Sequence, residues 1–172
     1  MNDGKNRGLS LIGKRVRQEQ FGECYSVNYK GSFAMYAQAQ RHRTLHYEMM
    51  LGDKQEFYVP SILQEYPELV EMWLEDMQKV AEFVPQGQLI NINERGDYEN
   101  LILKAKERLC TVAQLEVMQN TQETLEKFIK NTDNDYIKHD LEKLNKGARC
   151  MTGYSCTMPC AFKEGINLSR LI

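Results

Sequence analysis

The chain has 172 residues and a mass of 20.1 kDa, the size of one ordinary domain. With 22 Lys and Arg against 24 Asp and Glu, its formal net charge is -2. Neither nucleic acid nor an anionic membrane is therefore an expected partner, and any site for an anion must be a local cluster of cations. A mean hydropathy of -0.58 and the lack of a long apolar run exclude a membrane span. Because the polar residues 1–8 lead into no apolar run, we expect a cytoplasmic protein.

The N-terminal half predicts a strand, a long helix and an extended segment. β-forming residues alternate over Glu23–Lys30, which predicts the strand. Ser32 can cap a helix, and helix formers continue through the stretch SFAMYAQAQRHRTLHYEMML, so we expect one helix that ends at Gly52. Phe57–Pro60 predicts an extended piece, because the residue before a proline avoids helical backbone.

The C-terminal half predicts mainly helices. A second amphipathic helix begins near Pro67 and ends before Pro85. Leu89–Asn93 alternates apolar and polar residues, which predicts a short half-buried strand. Asp97 is the expected cap of a third helix.

Gln114–Lys130 continues or restarts that third helix, and a turn at Asn131–Asp135 precedes a last helix, Tyr136–Leu144. The fold class that follows is α+β, a helix-rich single domain over residues 1–145 with a small antiparallel sheet. Residues 146–172 form a separate Cys-rich tail.

The tail holds three of the five cysteines, Cys150, Cys156 and Cys160. Because we expect a reducing compartment, we interpret them as free thiols, metal ligands or packed side chains in preference to disulfides. A structural zinc site needs four ligands, so the fourth would have to come from elsewhere, namely Cys24, Cys110 or His139. Plain packing is the alternative, and we predict no metal site.

The triplet Arg41-His42-Arg43 is the most informative local feature. Adjacent cationic groups repel one another, so an anion is their natural partner, and guanidinium groups bind phosphate in bidentate fashion. A solvated basic face, or cations near a helix C-terminus, is the alternative interpretation. His42 and His46 have the helical spacing of two metal ligands, with Glu48 beside them, but the His-Glu-x-x-His order is absent.

The stretch Gln38–Glu48 (QAQRHRTLHYE), followed by Phe57–Pro60 (FYVP), resembles the flavin-dependent thymidylate synthases. The motif of that family is Arg-His-Arg, a variable stretch and then Ser, with Glu-Phe-Tyr-(Ile or Val)-Pro downstream. A second ordered match runs from Val84-Pro85 through Glu107–Leu109 to Ala113–Val117, where the family has Leu-Pro, Leu-Arg and Ala-Gln-Trp-Glu-Ile. The two matches cover roughly residues 24–118.

The resemblance implies a homotetramer that binds FAD and deoxyuridine monophosphate at sites shared between subunits, with methylenetetrahydrofolate as carbon donor and NADPH as reductant. It places the cofactor on Arg41, His42, Arg43 and Asp97. It places the pyrimidine nucleotide on Gln38, Arg41, Glu48 and Arg108, with Arg108 as the catalytic cation that favours ionisation of the uracil ring.

The family's Asn-x-Arg becomes Asp97-Tyr98-Glu99 in this chain, and three other positions depart from the family pattern. Leu51 stands at the position of the motif serine, and Asp53 and Ala81 replace arginines that bind phosphate in the family. One hypothesis is therefore an active enzyme, with dUMP or a related pyrimidine nucleotide as substrate. The alternatives are a catalytically degenerate flavin- or nucleotide-binding subunit that acts through a partner chain, and an unrelated small binding protein.

Overall fold

The structure, a computed structural model, describes residues 9–11, 24–110 and 112–145. The predicted Cys-rich tail, including Cys150, Cys156 and Cys160, lies outside the described residues. The described strands and helices are β1 (Leu9–Leu11), β2 (Cys24–Ser32), α1 (Phe33–Ala39), β3 (His46–Leu51), α2 (Pro67–Lys79), β4 (Leu89–Asp97), α3 (Tyr98–Arg108), α4 (Leu115–Asn131) and α5 (Asp135–Leu144). Single 3-10 turns lie at Ser61–Leu63 and Ala81–Phe83.

The strands form one antiparallel sheet in the order β1-β2-β4-β3. In its register Tyr47 of β3 lies opposite Glu94 of β4, and Glu94 lies opposite Val27 of β2. Since side chains alternate between the two faces of a strand, these three residues share one face. Helices cover that face, and polar side chains such as Asn28 and Asn93 occupy the other.

A single hydrophobic core lies between the sheet and the helices. β2 and β4 contribute alternate residues to it, and α3, α4 and α5 contribute one apolar stripe each. The largest apolar members with almost no exposed surface are Tyr25, Phe128, Met35, Ile90, Ile92, Leu101, Met118, Leu125 and Leu141. The predicted α+β class with a small antiparallel sheet is confirmed.

The prediction of one helix from Ser32 to Gly52 is wrong. Ser32 does cap a helix, since its hydroxyl accepts from the Met35 amide, but α1 ends at Ala39. The next residues form a turn, and β3 then pairs with β4 over its whole length. Tyr47, Met49 and Leu51 alternate along β3, and pairing with β4 outweighs the helix propensity of this stretch.

Helix α2 begins at Pro67 as predicted, with the proline in the first turn, where no amide hydrogen is needed. None of its residues is buried. The indole Nε1 of Trp73 donates to the Tyr58 carbonyl at 2.9 Å, and this bond joins α2 to the segment that precedes it. The apolar stripe of α2 is therefore not part of the core.

Strand β4 is longer than predicted, and a break separates α3 from α4. β4 continues to Asp97 rather than ending at Asn93. The Asp97 side chain caps α3 as predicted, because it accepts from the Asn100 amide at 2.9 Å. The chain restarts a helix at Leu115 rather than continuing α3, and α5 follows the predicted turn.

Candidate functional site

The Arg-His-Arg triplet lies in the turn between α1 and β3. The His42 amide donates to the Ala39 carbonyl at 3.0 Å, and the Leu45 amide donates to the His42 carbonyl at 3.1 Å. Leu45 is buried against Gly96 of β4, where any Cβ would overlap the Leu45 side chain. The turn is thus fixed by its own hydrogen bonds and by one apolar anchor in the sheet.

Arg41 and Arg43 point into solvent on either side of His42. Within residues 24–110 and 112–145 no carboxylate pairs with either guanidinium group. Two free guanidinium groups that flank one residue of a fixed turn are suited to bind a phosphate or diphosphate group.

His42 is 8% exposed, and its Nε2 has no hydrogen-bond partner. The closest carboxylate oxygen described is Oε2 of Glu107, at 3.6 Å. Burial lowers the pKa of His42 from its usual value, and the positive charge of Arg108 lowers it further. The imidazole is therefore neutral near neutral pH.

Arg108 lies at the C-terminal end of α3, where its Nη2 donates to the Gln38 carbonyl at 3.1 Å. This bond joins the end of α3 to the end of α1. The Nε of Arg108 is buried without a partner. The structure therefore brings Gln38, His42 and Arg108 together.

A buried ion pair lies one helical turn before Arg108. Lys104 Nζ donates to Glu94 Oε2 at 2.6 Å, and both side chains are 0% exposed. The hydroxyls of Tyr29 and Tyr25 donate to the two oxygens of the same carboxylate at 2.7 and 2.6 Å. Because Lys104 and Arg108 lie on the same face of α3, this network holds that face against the sheet and so positions Arg108.

Tyr47 is a site residue that the sequence did not reveal, because we assigned it to a helix. Its ring meets Tyr36 edge to face with centroids 6.4 Å apart, and its hydroxyl is buried without a partner. It lies opposite Glu94, but three donors already occupy that carboxylate. Burial raises the pKa of Tyr47, so its hydroxyl stays protonated and remains a free donor.

Two residues assigned by the resemblance lie elsewhere. Glu48 is next to Tyr47 on β3 and therefore on the opposite face of the sheet, where it pairs with Arg95 and with His46. Asp97 caps the far end of α3, roughly 16 Å along the helix axis from Arg108. Neither carboxylate joins the Gln38–His42–Arg108 cluster.

The three departures from the family pattern have different environments. Leu51 and Asp53 are exposed at and beyond the end of β3, whereas Ala81 is buried. The Ala81 carbonyl accepts from the Gln55 side chain at 3.0 Å, so a longer side chain at position 81 would disturb a packed segment.

A separate polar groove lies between α4 and residues 57–64. It consists of adjoining cavities of about 400 and 330 Å³, which share Tyr58, Gln64, Gln119 and Glu123 as lining residues. Glu116 and Glu126 also line the groove. Burial raises the pKa of Glu116, whose carboxylate accepts from the Ser32 amide and hydroxyl at 2.7 and 2.6 Å.

No metal-ligating cluster is present in the described part of the chain: three or more His, Cys, Asp or Glu side chains nowhere come together there. The helical spacing of His42 and His46 that suggested two ligands does not exist, because these residues lie on a turn and a strand. Of the helices described, none is long and apolar enough to cross a membrane.

Comparison with known proteins adds no assignment to this geometry. No family model matches the chain, and no curated protein is significantly similar to it.

Proposed function

We propose that this protein is a flavin-dependent thymidylate synthase-like enzyme, which methylates dUMP or a related pyrimidine nucleotide. The observation that carries the proposal is the Gln38–His42–Arg108 cluster. It joins the Arg-His-Arg turn to an arginine 65 positions later in the sequence, and the family motifs pair the same two regions.

The exposed guanidinium groups support the FAD part of the proposal. Arg41 and Arg43 fit the diphosphate of the cofactor, because they are free, separated in sequence only by His42 and attached to a fixed turn. The groove beside α4 is lined by carboxylates and would repel the same phosphates. Charge therefore favours the Arg-His-Arg side of the molecule for both phosphate-bearing ligands.

Arg108 supports the pyrimidine part. Its guanidinium is held by a backbone carbonyl on a half-buried side chain, so its remaining N–H groups can face an oxygen or a deprotonated nitrogen of the uracil ring. A fixed cation there stabilises negative charge that develops on the ring. The neutral His42 beside it adds no second charge.

Bound FAD would supply the reducing equivalents that convert the transferred one-carbon group of methylenetetrahydrofolate into a methyl group, with NADPH as the source. The residues of this chain bind and orient the ligands. We expect sites shared between subunits, as the resemblance implies.

A catalytically degenerate, ligand-binding subunit is the alternative, and a specific observation favours it. Position 51 holds an exposed leucine and position 53 an exposed aspartate. A leucine donates no hydrogen bond, and an aspartate repels a phosphate dianion. Loss of two charge-assisted contacts weakens nucleotide binding by roughly two to four powers of ten.

Tritium release from dUMP labelled at ring carbon 5 tests the proposal. The protein is supplied with FAD, NADPH and methylenetetrahydrofolate, and Arg108→Ala is the matched inactive variant. We expect release that depends on methylenetetrahydrofolate and is lost in the variant. If flavin binds but no pyrimidine nucleotide supports release, the degenerate subunit is correct; if neither flavin nor a pyrimidine nucleotide binds, both are wrong.

A further inference from the structure

The groove between α4 and residues 57–64 is polar at a place where two segments of one chain normally share apolar side chains. The α4 residues on this side lie on one face of the helix, and they are Glu116, Gln119, Asn120, Glu123 and Glu126. The two cavities that they line, of about 400 and 330 Å³, have the size of small-molecule sites. This face of α4 therefore leaves a ligand-sized space beside residues 57–64.

The wall opposite α4 is fixed by hydrogen bonds. The Tyr58 amide donates to the Gly87 carbonyl at 2.8 Å, and the Tyr58 carbonyl accepts from Trp73 Nε1 at 2.9 Å. Gln119 Nε2 donates to Ser61 Oγ at 3.2 Å, which joins α4 to this wall. Because both sides of the groove are held in place without a ligand, binding requires little further ordering of the protein.

The carboxylates of the groove lack cations. In the described ranges of the chain Glu116 and Glu126 form no ion pair, and Glu123 has only Lys127, at 3.7 Å. Lys30 also lines the groove, but it is paired with a carboxylate outside the lining. Glu116 is only 8% exposed, so water compensates little for the missing cation. The groove therefore attracts positively charged ligands.

The carboxylates are spread along α4 and do not meet at one point. At a rise of about 1.5 Å per residue, Glu116 and Glu126 lie roughly 15 Å apart along the helix axis, with Glu123 between them. Among the residues that the structure describes, no three His, Cys, Asp or Glu side chains come together, so this lining does not chelate a metal ion. It fits a ligand that carries several positive charges along a chain.

Uncharged groups of the groove complete the match to such a ligand. The Oδ1 of Asn120 lies on α4 between Glu116 and Glu123, and it is buried without a partner. An ammonium group has three donors and no acceptor, so it can bond a carboxylate and this oxygen together. Tyr58 lines both cavities, and an aromatic ring attracts an ammonium group and packs against methylene groups.

We propose that this groove binds a linear aliphatic polyamine. Its ammonium groups pair with Glu116, Glu123 and Glu126, and its methylene chain runs past Tyr58 along α4. This inference goes beyond the ligand proposal for the Arg-His-Arg turn. It does not depend on flavin or nucleotide binding, because the two sites share no residue and have opposite charge.

Equilibrium dialysis of the full chain against labelled spermidine, at about 50 mM salt, tests the proposal. We expect saturable binding with a dissociation constant on the order of 10–100 μM, because partly exposed ion pairs contribute modestly. Octanediol, an uncharged chain of similar length, and Mg²⁺ should not displace spermidine when each is added at the same concentration. No saturable binding up to roughly 1 mM spermidine, or displacement by either competitor, would overturn the proposal.

The double variant Glu123→Gln, Glu126→Gln removes two charges and keeps the shape of both side chains. It should bind spermidine about tenfold or more weakly than the parent, by loss of charge-assisted hydrogen bonds. Its FAD titration should match that of the parent, so failure here is distinguishable from failure of the flavin proposal. Circular dichroism reports whether the fold is kept.

The double variant Glu71→Gln, Glu75→Gln is the matched control. It makes the same change of charge at two exposed carboxylates of α2 that do not line the groove. It should bind spermidine like the parent. Equal spermidine affinity in the two double variants would remove the carboxylates of α4 from the site and overturn the proposal.

The length of the ligand tests its placement along α4. Putrescine has two ammonium groups on a shorter chain and reaches fewer of the carboxylates, which are spread over roughly 15 Å. It should bind the parent about tenfold or more weakly than spermidine does, since one charge-assisted contact is lost. Equal affinity for the two amines would contradict binding of an extended chain in this groove.

Discussion

Arg41 makes the most direct residue-scale contribution to the proposed cofactor site. Its guanidinium is exposed and has no carboxylate partner in the described parts of the chain. Arg41→Ala should therefore lower FAD affinity by about tenfold or more, by loss of a charge-assisted hydrogen bond, and leave stability almost unchanged. Flavin titration and thermal unfolding measure the two effects.

Lys138→Ala is the control for Arg41→Ala, because Lys138 is an exposed cation on α5, away from the Arg-His-Arg turn. It should leave FAD affinity as in the parent. An Arg41→Ala variant that binds FAD as tightly as Lys138→Ala would remove Arg41 from the site.

His42 predicts a pH dependence of stability. Its folded-state pKa is lowered by burial and by Arg108, and to a smaller extent by Lys104, whereas Glu107 and Glu94 raise it in part. The unfolded chain takes up a proton at about pH 6.5 while the folded chain does not, so this contribution is present above that pH and is lost as the pH falls towards the folded value. The parent should thus lose more stability on acidification than His42→Asn.

Urea unfolding of both proteins between about pH 7.5 and pH 5.5 measures this difference, since the range brackets the unfolded pKa. His139→Asn, at an exposed histidine of α5, is the matched control. Parallel stability curves for the parent and His42→Asn would show that burial of His42 does not disfavour its charged form.

Some residues of the site were predictable from the sequence and others were not. Arg41–Arg43 were recognisable because clustered charge is unusual in a near-neutral chain. Lys104 was overlooked, although it has the spacing of the buried stripe that holds Leu101, Ile102 and Ala105. Glu94 likewise continues the buried alternation of Ile90 and Ile92 on β4. A cation on the buried face of α3 and an anion on the buried face of β4 therefore already indicated an ion pair.

At the scale of elements, the Glu94–Lys104 pair connects α3 to the sheet. Lys104→Met leaves the Glu94 carboxylate buried without its cation, which should cost about 3–5 kcal/mol of unfolding free energy. The double variant Lys104→Met, Glu94→Gln should cost less, since no charge is left buried, and the amide oxygen still accepts from one tyrosine hydroxyl while the amide NH2 donates to the other. Urea unfolding measures both; a double variant as unstable as the single one would contradict this account of the network.

Asp97 predicts a capping effect on α3. Asp97→Ala removes the acceptor for the Asn100 amide and should cost about 1 kcal/mol, whereas Asp97→Asn keeps an acceptor oxygen and should stay close to the parent. Thermal unfolding of the three proteins separates these cases. Equal losses in both variants would show that the charge of Asp97, rather than its cap, stabilises the helix.

The error at α1 and β3 shows why element type was harder to predict than element position. Residues 33–51 are rich in helix formers, and only long-range pairing with β4 makes the second part a strand. Helices α2, α3 and α5 were found because caps, prolines and apolar stripes are local signals. Whether an apolar stripe is buried depends on tertiary contacts. The exposure of the apolar stripe of α2 was therefore not predictable from the sequence.

At the scale of the whole molecule, the one-sided sheet separates two kinds of surface. The helix-covered face and its margins hold Arg108, His42 and Tyr47, and the open face holds polar pairs such as Glu48 with Arg95. The overall charge of the chain is near zero, but the charges are unevenly distributed. Free cations lie at the Arg-His-Arg turn, and carboxylates line the groove beside α4. The near-neutral composition therefore allows a strongly cationic local site.

We propose that the Arg-His-Arg turn and Arg108 form a site for a phosphate-bearing flavin and a pyrimidine nucleotide. Titration of the purified protein with FAD, followed by the visible absorption spectrum, tests it most directly. We predict a saturable spectral shift that is lost in an Arg41→Ala, Arg43→Ala double variant and kept in Lys138→Ala. No spectral shift at saturating FAD, or the same shift in the double variant, would contradict the claim.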